Sequence, residues 1–285
     1  MKNKTVLALS ILGIVLLLLL AMYLFTDKNE NSDADPKKAD SVTVENDETV
    51  YTSLDPFTNV TVNVQASDIS LNIGNEFSVQ YNLHSKEALK QSEVVDGTFY
   101  FLSDPDWDGK RKPHKRKVLI TVPEGTELNT VTLSTISGDI TLSDLKIAQG
   151  TLETTSGAVE LTKVTADQTS MKTVSGKLKA SESTISVLNA QNTSGAISGN
   201  GYFNQVDLKS VSGNCSLSGS LAGIANVKTT SGNVKINALV SSVHAETKGK
   251  IKIGEDEYAH SYYMRDGQPE VTIESVSGSI IVAKK

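Results

Sequence analysis

The chain has 285 residues, a formal net charge of −6 and one cysteine. A single cysteine excludes a disulfide framework, and the acidic balance argues against a dedicated nucleic-acid binder. The aromatic share of 5% favours thin layers filled by aliphatic residues.

The N-terminal segment joins a basic stretch to a long apolar run. Lys2 and Lys4 lie in residues 1–5, and residues 6–25 form a run of 20 residues without a charge. As a helix, this run spans about 30 Å, which is the thickness of a bilayer core. We therefore expect a transmembrane signal anchor at 6–25, with residues 1–5 cytoplasmic and the remainder extracytoplasmic, because the positive charge precedes the span. A cleaved signal peptide is the open alternative.

Two segments separate the anchor from the repeats. Residues 26–48 are polar and acidic, a composition that predicts a flexible linker. Residues 49–123 alternate apolar and polar positions, as at Val60, Val62 and Val64. This pattern predicts a β-rich capping part of the same fold, with a short helical turn at residues 85–92.

The densest charge of the chain lies within residues 104–117. The opening Asp-Pro-Asp-Trp-Asp-Gly resembles a calcium loop, but Lys115 stands where that loop needs a glutamate, so we predict no metal site. One interpretation is binding to an anionic polymer or to lipid headgroups. The other is a solvated hairpin tip whose acids and bases pair. The candidate binding residues are Trp107, Lys110, Arg111, Lys112, Lys115, Arg116 and Lys117.

A recurring Ser-Gly dipeptide organises residues 124–285. Its glycines are mostly 18 or 19 residues apart, with a degenerate copy at Gly249, and they are Gly138, Gly157, Gly176, Gly195, Gly213, Gly232 and Gly278. A fixed period near 20 residues indicates stacked repeats. Apolar residues alternate with polar ones on both sides of each glycine, which is the pattern of a strand with one buried face. The sequence thus predicts an all-β, single-stranded β-solenoid with rungs of about 19 residues.

A column of small polar residues stands three positions before each glycine, as at Thr135, Thr154 and Thr173. Its parity points inward, so we expect these groups to bond one another or the bend backbone from rung to rung. The alternative is a ladder that orders water or binds a ligand. In the last unit, an insertion at residues 254–268 predicts an exposed hairpin or loop at the far end of the stack.

Catalytic motifs are not found in the sequence. The four histidines are scattered, and no nucleophile elbow, phosphate-binding loop or zinc motif is present. Cys215 falls in an apolar column and is predicted to fill the core, while Asp139, Asp144 and Asp167 are predicted to be exposed turn residues. We therefore predict no catalytic residue, no cofactor and no metal.

The repeat motif carries a resemblance. Thr135-Ile136-Ser137-Gly138-Asp139-Ile140, the following Thr154-Thr155-Ser156-Gly157 and the closing Gln268-Pro269-Glu270-Val271 resemble a bacterial family of β-strand repeats labelled “putative adhesin”. With an anchor ahead of the repeats, the chain is similar to LiaG-type membrane proteins of Firmicute envelope-stress operons. The resemblance implies the fold over residues 50–285 and no catalytic residues.

The expected protein is a single-pass membrane protein of a Gram-positive bacterium. Its extracytoplasmic β-solenoid is expected to act as a non-catalytic, adhesin-like binding or scaffold module in the cell envelope, with a role in the envelope-stress response. The expected partners are the membrane, through the N-terminal helix, and either teichoic acid, peptidoglycan or a membrane protein. The alternative function is a β-helix enzyme that acts on cell-wall polysaccharide.

Overall fold

The computed structural model describes residues 49–83, 88–104 and 116–283, which lie in one compact unit, Thr43–Lys285. These residues contain β-strands and no helix, so the all-β class is confirmed. The expected anchor at 6–25 and the expected linker at 26–48 lie outside the described residues.

Twenty strands form one continuous sheet within these residues. The first ten are β1 (Val50–Ser53), β2 (Asn59–Asn63), β3 (Ser67–Gly74), β4 (Ser78–Asn82), β5 (Ala88–Val95), β6 (Thr98–Asp104), β7 (Arg116–Pro123), β8 (Glu127–Thr135), β9 (Ile140–Ser143) and β10 (Lys146–Thr154). The others are β11 (Val159–Thr162), β12 (Thr165–Lys172), β13 (Leu178–Asn192), β14 (Ile197–Ser210), β15 (Cys215–Thr229), β16 (Val234–Asn237), β17 (Ser242–Ile253), β18 (Asp256–Met264), β19 (Glu270–Ser275) and β20 (Ile280–Val282).

The repeats stack in parallel and in register. Leu152 of β10 lies beside Leu133 of β8 on one side and beside Met171 of β12 on the other, an offset of one repeat in each direction. Adjacent strands are about 4.8 Å apart. Equivalent residues of successive repeats therefore lie over one another, as the period of the sequence predicts.

The alternation of side chains builds the core. In β10 the buried positions recur at every second residue towards the end of the strand, and the buried leucine, isoleucine and valine columns join into one hydrophobic cluster. A single rung has nothing to cover its apolar face, so the buried surface arises from stacking. The outward positions between the apolar columns remain accessible and carry mostly polar residues.

A second corner recurs with the same period in three successive rungs. Asp144, Lys163 and Glu182 have φ angles of 59°, 54° and 50°, so three equivalent residues adopt the left-handed conformation that a tight corner requires. The amide nitrogens of Asp144 and Lys163 donate to carbonyl oxygens of the next rung at 3.0 Å. The corner is thus stacked as regularly as the strands.

Chain order and stacking order differ at the N-terminal end. Strand β2 lies between β6 and β8, with Val60 beside both Phe99 and Val131. Likewise, β3 lies between β7 and β9. Strand β5 pairs with β6, and β4 pairs with β7, both in antiparallel orientation. Strands β6 and β7 are the last parallel strands at this end. The segment expected to cap the stack thus supplies parallel rungs as well as an antiparallel cover.

The C-terminal end has the same exchange of order. Strand β19 lies between β15 and β17, so that Val271 is beside both Ala225 and Val243. Strand β18 then pairs with β17 in antiparallel orientation and forms a hairpin at this end. The last strands of the chain are therefore enclosed one rung inside the stack.

The helical turn predicted at residues 85–92 is wrong for the described part of that segment. Residues 88–92 belong to strand β5, which pairs with β6 in antiparallel orientation. The polar and charged residues of this segment suit an outer strand as well as a helix, and the pairing with β6 decides between the two.

Candidate functional site

The bend of each rung is held by an inward column of hydroxyl groups. Thr154 Oγ1 donates to the carbonyl oxygen of Gly138 in the neighbouring rung (3.0 Å) and accepts from Gly157 N of its own rung (3.1 Å). Thr173 makes the same two contacts with Gly157 and Gly176. Thr154 and Thr173 are 3% and 2% exposed. The predicted inward column is confirmed, and its groups bond the bend backbone.

Glycine recurs at the bend because neighbouring rungs approach too closely for a side chain. A Cβ atom at Gly157 would lie 1.8 Å from the carbonyl oxygen of Gly138, and one at Gly176 would lie 1.6 Å from that of Gly157. Real Cβ atoms do not come so near to backbone oxygen, so any side chain would push the rungs apart. The glycine of each Ser-Gly repeat therefore allows neighbouring rungs to stack closely at the bend.

The residue after the bend glycine also connects rungs. Asp139 Oδ1 accepts a hydrogen bond from Ala158 N (2.7 Å), and Asp68 Oδ1 accepts one from Asp139 N (2.8 Å). Near the other end, Asn233 Oδ1 accepts from Ser279 N (2.9 Å). Asp139 is exposed at its bend, as predicted, and its carboxylate accepts a hydrogen bond from the backbone of the next rung.

Other residues considered for chemistry are dispersed. Asp144 is exposed at a left-handed corner, and Asp167 is exposed in β12. His244 Nε2 lies 3.3 Å from Glu246 Oε1, whereas His84 and His114 lie outside the described residues. Among the residues that the structure describes, no three His, Cys, Asp or Glu side chains group as metal ligands would.

Cys215 fills a core position, as predicted. Its side chain is 1% exposed, beneath Val234 of the next rung. Burial raises the pKa of its thiol to about 12, because the thiolate would lose its hydration. A thiol in this environment is a poor nucleophile at neutral pH.

The structure describes two of the basic candidate residues. Arg116 is 6% exposed and its Nη1 donates to the carbonyl oxygen of Leu83 (3.2 Å). Lys117 is exposed, and its backbone nitrogen donates to Asn82 Oδ1 (2.8 Å). The guanidinium of Arg116 is thus directed at the protein's own backbone, while Lys117 faces solvent. Trp107, Lys110, Arg111, Lys112 and Lys115 lie outside the described residues.

A column of short polar side chains, here called the polar trough, runs along one outward face of the stack. Its floor is a column of short polar side chains at equivalent positions of β8, β10, β12, β13, β14 and β15, namely Thr132, Thr151, Ser170, Asn189, Asp207 and Asn226. Longer side chains stand on both sides. Gln149 and Gln168 belong to one wall, and Glu153 and Lys172 to the other. All these floor residues retain accessible surface.

Aromatic residues stand near both ends of the polar trough. At one end, Thr61 continues the floor and Tyr100 follows it, with exposed Glu93 of β5 beyond Tyr100. At the other end, the floor continues through Thr272 and His244 to Tyr263. Tyr263 is 67% exposed and its ring makes an edge contact with that of His244, with centroids 5.6 Å apart. Sequence reasoning missed this site, because the register of the exchanged end strands alone aligns these residues.

The lysines of the trough wall are paired with carboxylates. Lys172 Nζ lies 3.1 Å from Glu153 Oε1, and Lys228 Nζ lies 3.0 Å from Glu274 Oε1. Lys209 Nζ lies 2.9 Å from Asp207 Oδ2 on the floor. These ion pairs join adjacent or next-nearest side chains across the same face, so the positive charge of the wall is compensated locally.

The hairpin of β17 and β18 covers the C-terminal end of the core. Tyr262 and Met264 are partly buried and pack against the core, and the rings of Tyr258 and Tyr262 lie 4.5 Å apart. Burial, followed by the charge of Asp256, raises the pKa of Tyr258. Tyr262 and Met264 therefore cover this end of the core, while Tyr263 is on the outward face with the trough.

No helix among the described residues is both long and apolar enough to cross a membrane.

Comparison with known proteins identifies the family and the fold. The profile of the Toastrack DUF4097 family matches residues 41–282. The crystal structure of a “putative adhesin” from Bacteroides fragilis is 15% identical, with a TM-score of 0.51 over 82% of this chain and 96% of that one. At this identity, the likeness shows a shared fold.

Two Parabacteroides distasonis structures are also similar. A “putative lipid binding protein” is 16% identical, with a TM-score of 0.48 over 84% of this chain and 94% of that one. A “putative adhesin” is 14% identical, with a TM-score of 0.44 over 82% and 96%. No curated protein is significantly similar to this chain.

Proposed function

Because this chain belongs to the Toastrack DUF4097 family, we propose that it is a non-catalytic, adhesin-like binding or scaffold module of the bacterial cell envelope. An N-terminal membrane helix at residues 6–25 carries, on the linker at 26–48, an extracytoplasmic single-stranded β-solenoid with rungs of about 19 residues. The observation that carries this proposal is that the inward and outward polar groups of the stack have different roles. Inward polar groups hold the rungs together, and an outward polar trough is left for a partner.

The positions of several acidic groups support a non-catalytic role. Asp139 is engaged by the backbone of the next rung, and Asp207, Glu153 and Glu274 are paired with lysines at 2.9–3.1 Å. A glycosidase needs one carboxylic acid with a raised pKa facing a second carboxylate across a substrate groove. Asp207, Glu153 and Glu274 instead each lie beside a lysine of the same face.

The placement outside a Gram-positive cell rests on the sequence. Charged Lys2 and Lys4 precede the apolar run and acidic residues follow it, which favours a cytoplasmic N-terminus. We extend the proposal to the envelope-stress response because of the resemblance to LiaG-type proteins.

The proposed ligand of the basic segment is an anionic envelope polymer such as teichoic acid. Exposed Lys117 and the neighbouring Lys110, Arg111, Lys112 and Lys115 supply the charge, and Trp107 supplies an aromatic face. Arg116 is the least suited of these residues, because a polymer would have to displace its hydrogen bond to Leu83.

Co-sedimentation with purified cell walls tests this function. The full chain in detergent micelles is mixed with walls that carry teichoic acid and with walls stripped of it. We expect binding to the intact walls and a clear loss when Lys110, Arg111, Lys112, Lys115 and Lys117 are changed to Gln. The matched control removes the same charge from exposed lysines of the repeats, namely Lys146, Lys163, Lys177, Lys235 and Lys248. Equal binding by both variants would remove the basic segment from the proposal.

Two further measurements test the remaining parts. Protease added to intact protoplasts should digest the repeats. Repeats that survive this treatment would indicate a cytoplasmic location and contradict the proposal. Incubation of the full chain with wall polysaccharide should release no reducing ends. Turnover that a single carboxylate substitution abolishes would establish the β-helix enzyme in place of the binding module.

A further inference from the structure

We propose that the polar trough binds an uncharged, linear polysaccharide that lies along the stack, across the strands. This inference rests on the proposed function as a binding module and names the ligand class of a site separate from the basic segment.

Apart from Asp207, which is paired with Lys209, the floor presents groups that both donate and accept hydrogen bonds. Thr151 and Ser170 offer hydroxyls, and Asn189 and Asn226 offer carboxamides. Sugar hydroxyls also donate and accept, so each floor group can satisfy a sugar in more than one orientation. An apolar ligand would leave these groups unpaired, which is unfavourable.

The shape of the site favours a polymer over a single sugar. From Tyr100 to Tyr263 the floor crosses eleven strands, or about 48 Å at about 4.8 Å per strand. One step is comparable with the length of one sugar in an extended chain. An open trough gives a single sugar few contacts, whereas a chain adds contacts with every rung it crosses.

The ends suit sugar rings. The exposed ring of Tyr263 and, at the opposite end, Tyr100 offer aromatic faces and hydroxyls. The apolar face of a pyranose packs on such rings while its hydroxyls remain bonded. The two tyrosines would therefore hold a chain at both ends of the floor.

The charge of the trough selects against an anionic ligand. The wall lysines Lys172, Lys209 and Lys228 are each within 3.1 Å of a carboxylate oxygen. A phosphate-rich polymer would have to compete with these carboxylates and would be repelled by them. A neutral chain meets no such cost. This distinguishes the trough from the basic segment, which suits teichoic acid.

The test measures binding of the full chain, in detergent micelles, to insoluble chitin and insoluble cellulose. These probes are neutral, linear polymers of N-acetylglucosamine and glucose. The variant Asn189→Ala/Asn226→Ala should bind at least one polymer about tenfold more weakly, as the loss of two hydrogen bonds predicts. The control Asn200→Ala/Asn237→Ala removes two exposed carboxamides from another face and should bind like the unchanged protein.

Soluble chito-oligosaccharides or cello-oligosaccharides of two to eight sugars provide the second arm. Affinity should rise with length, because each added sugar reaches another rung. Binding to neither polymer, equal losses in both variants, or affinity independent of length would overturn the inference. Binding of soluble teichoic acid to the trough would also overturn it. Such binding would be recognised by its loss in the Asn189→Ala/Asn226→Ala variant. Normal wall binding by that variant would leave the proposed function standing.

Discussion

Thr247 Oγ1 donates a hydrogen bond to the carbonyl oxygen of Gly278 at 2.6 Å, although Gly278 follows it by 31 residues. In the repeats before it, the acceptor precedes the donor, as Gly138 precedes Thr154. The reversal arises because β19 and β20 are placed between β15–β16 and β17. The C-terminal strands are thus bonded on both edges, and the rung that precedes them in the chain lies outside them.

Hydrogen exchange should reveal this exchange of order. We expect the amides of β19 (Glu270–Ser275) to exchange more slowly than those of β18 (Asp256–Met264), because β19 pairs with β15 and β17. Strand β18 pairs with β17 and its side chains are largely exposed. Exchange is fastest where opening exposes few buried contacts. Native-state exchange with mass spectrometry measures both peptides in one sample, and faster exchange in β19 would contradict the stacking order.

The sequence predicts the repeats well and their ends poorly. The period, the alternation and the inward threonine column follow from local pattern, because each rung contacts its neighbours in the same register. Strand exchange at the ends depends on which edge a distant strand joins. Val60 could pair with Val131 in any arrangement that buries its column, and its second partner, Phe99, belongs to a strand outside the repeat.

Prediction of the candidate site also succeeds where local sequence decides and fails where the stacking order decides. Single residues were placed correctly where the local environment decides, as for Asp139 at its bend and Cys215 in the core. The polar trough could not be predicted, because its floor varies among Thr, Ser, Asn and Asp and its aromatic ends come from Tyr100 and Tyr263. Only the stacking order brings these two residues into one column.

Thr154→Val should destabilise the stack. The substitution leaves Gly157 N and the carbonyl oxygen of Gly138 without the hydroxyl that both bond, and unsatisfied buried groups cost about 1–3 kcal/mol. Chemical denaturation followed by circular dichroism measures the change. Thr154→Ser keeps the hydroxyl and is the control, with an expected loss below about 1 kcal/mol. Equal losses would mean that the methyl group, rather than the hydrogen bonds, stabilises the bend.

Gly157→Ala should be more harmful than an alanine elsewhere in the core. The new Cβ would lie 1.8 Å from the backbone oxygen of Gly138, whereas at Gly150 the nearest atom is a side-chain carbon of Ile147 at 3.0 Å. Overpacking against a fixed backbone costs about 1–3 kcal/mol or more. The cost at Gly150 should be smaller, because the side chain of Ile147 can move aside. Thermal unfolding of Gly157→Ala and Gly150→Ala compares the two directly. A smaller loss at Gly157 would show that the bend can open without breaking the stack.

The thiol of Cys215 should be unreactive in the folded protein. The side chain is 1% exposed and its pKa is raised to about 12, so thiolate is scarce at pH 8. Labelling with iodoacetamide, quantified by mass spectrometry, should be slow in native buffer and fast in denaturant. Because this protein has one cysteine, all the label reports on this position. Rapid labelling of the native state would indicate that the stack opens between β14 and β16.

Glu76 should titrate below the usual range of a glutamate. Its pKa is lowered because Ser53 Oγ (2.6 Å) and Tyr51 Oη (2.7 Å) donate to its two carboxylate oxygens, which favours the ionised form. With the folded pKa below the unfolded one, the resulting stabilisation is present above the unfolded pKa and is lost as pH falls through the folded pKa. Side-chain NMR titration should show the midpoint rising in Ser53→Ala and, to a smaller extent, in Tyr51→Phe. An unchanged midpoint in both variants would mean that these hydroxyls do not hold β1 to the segment before β4.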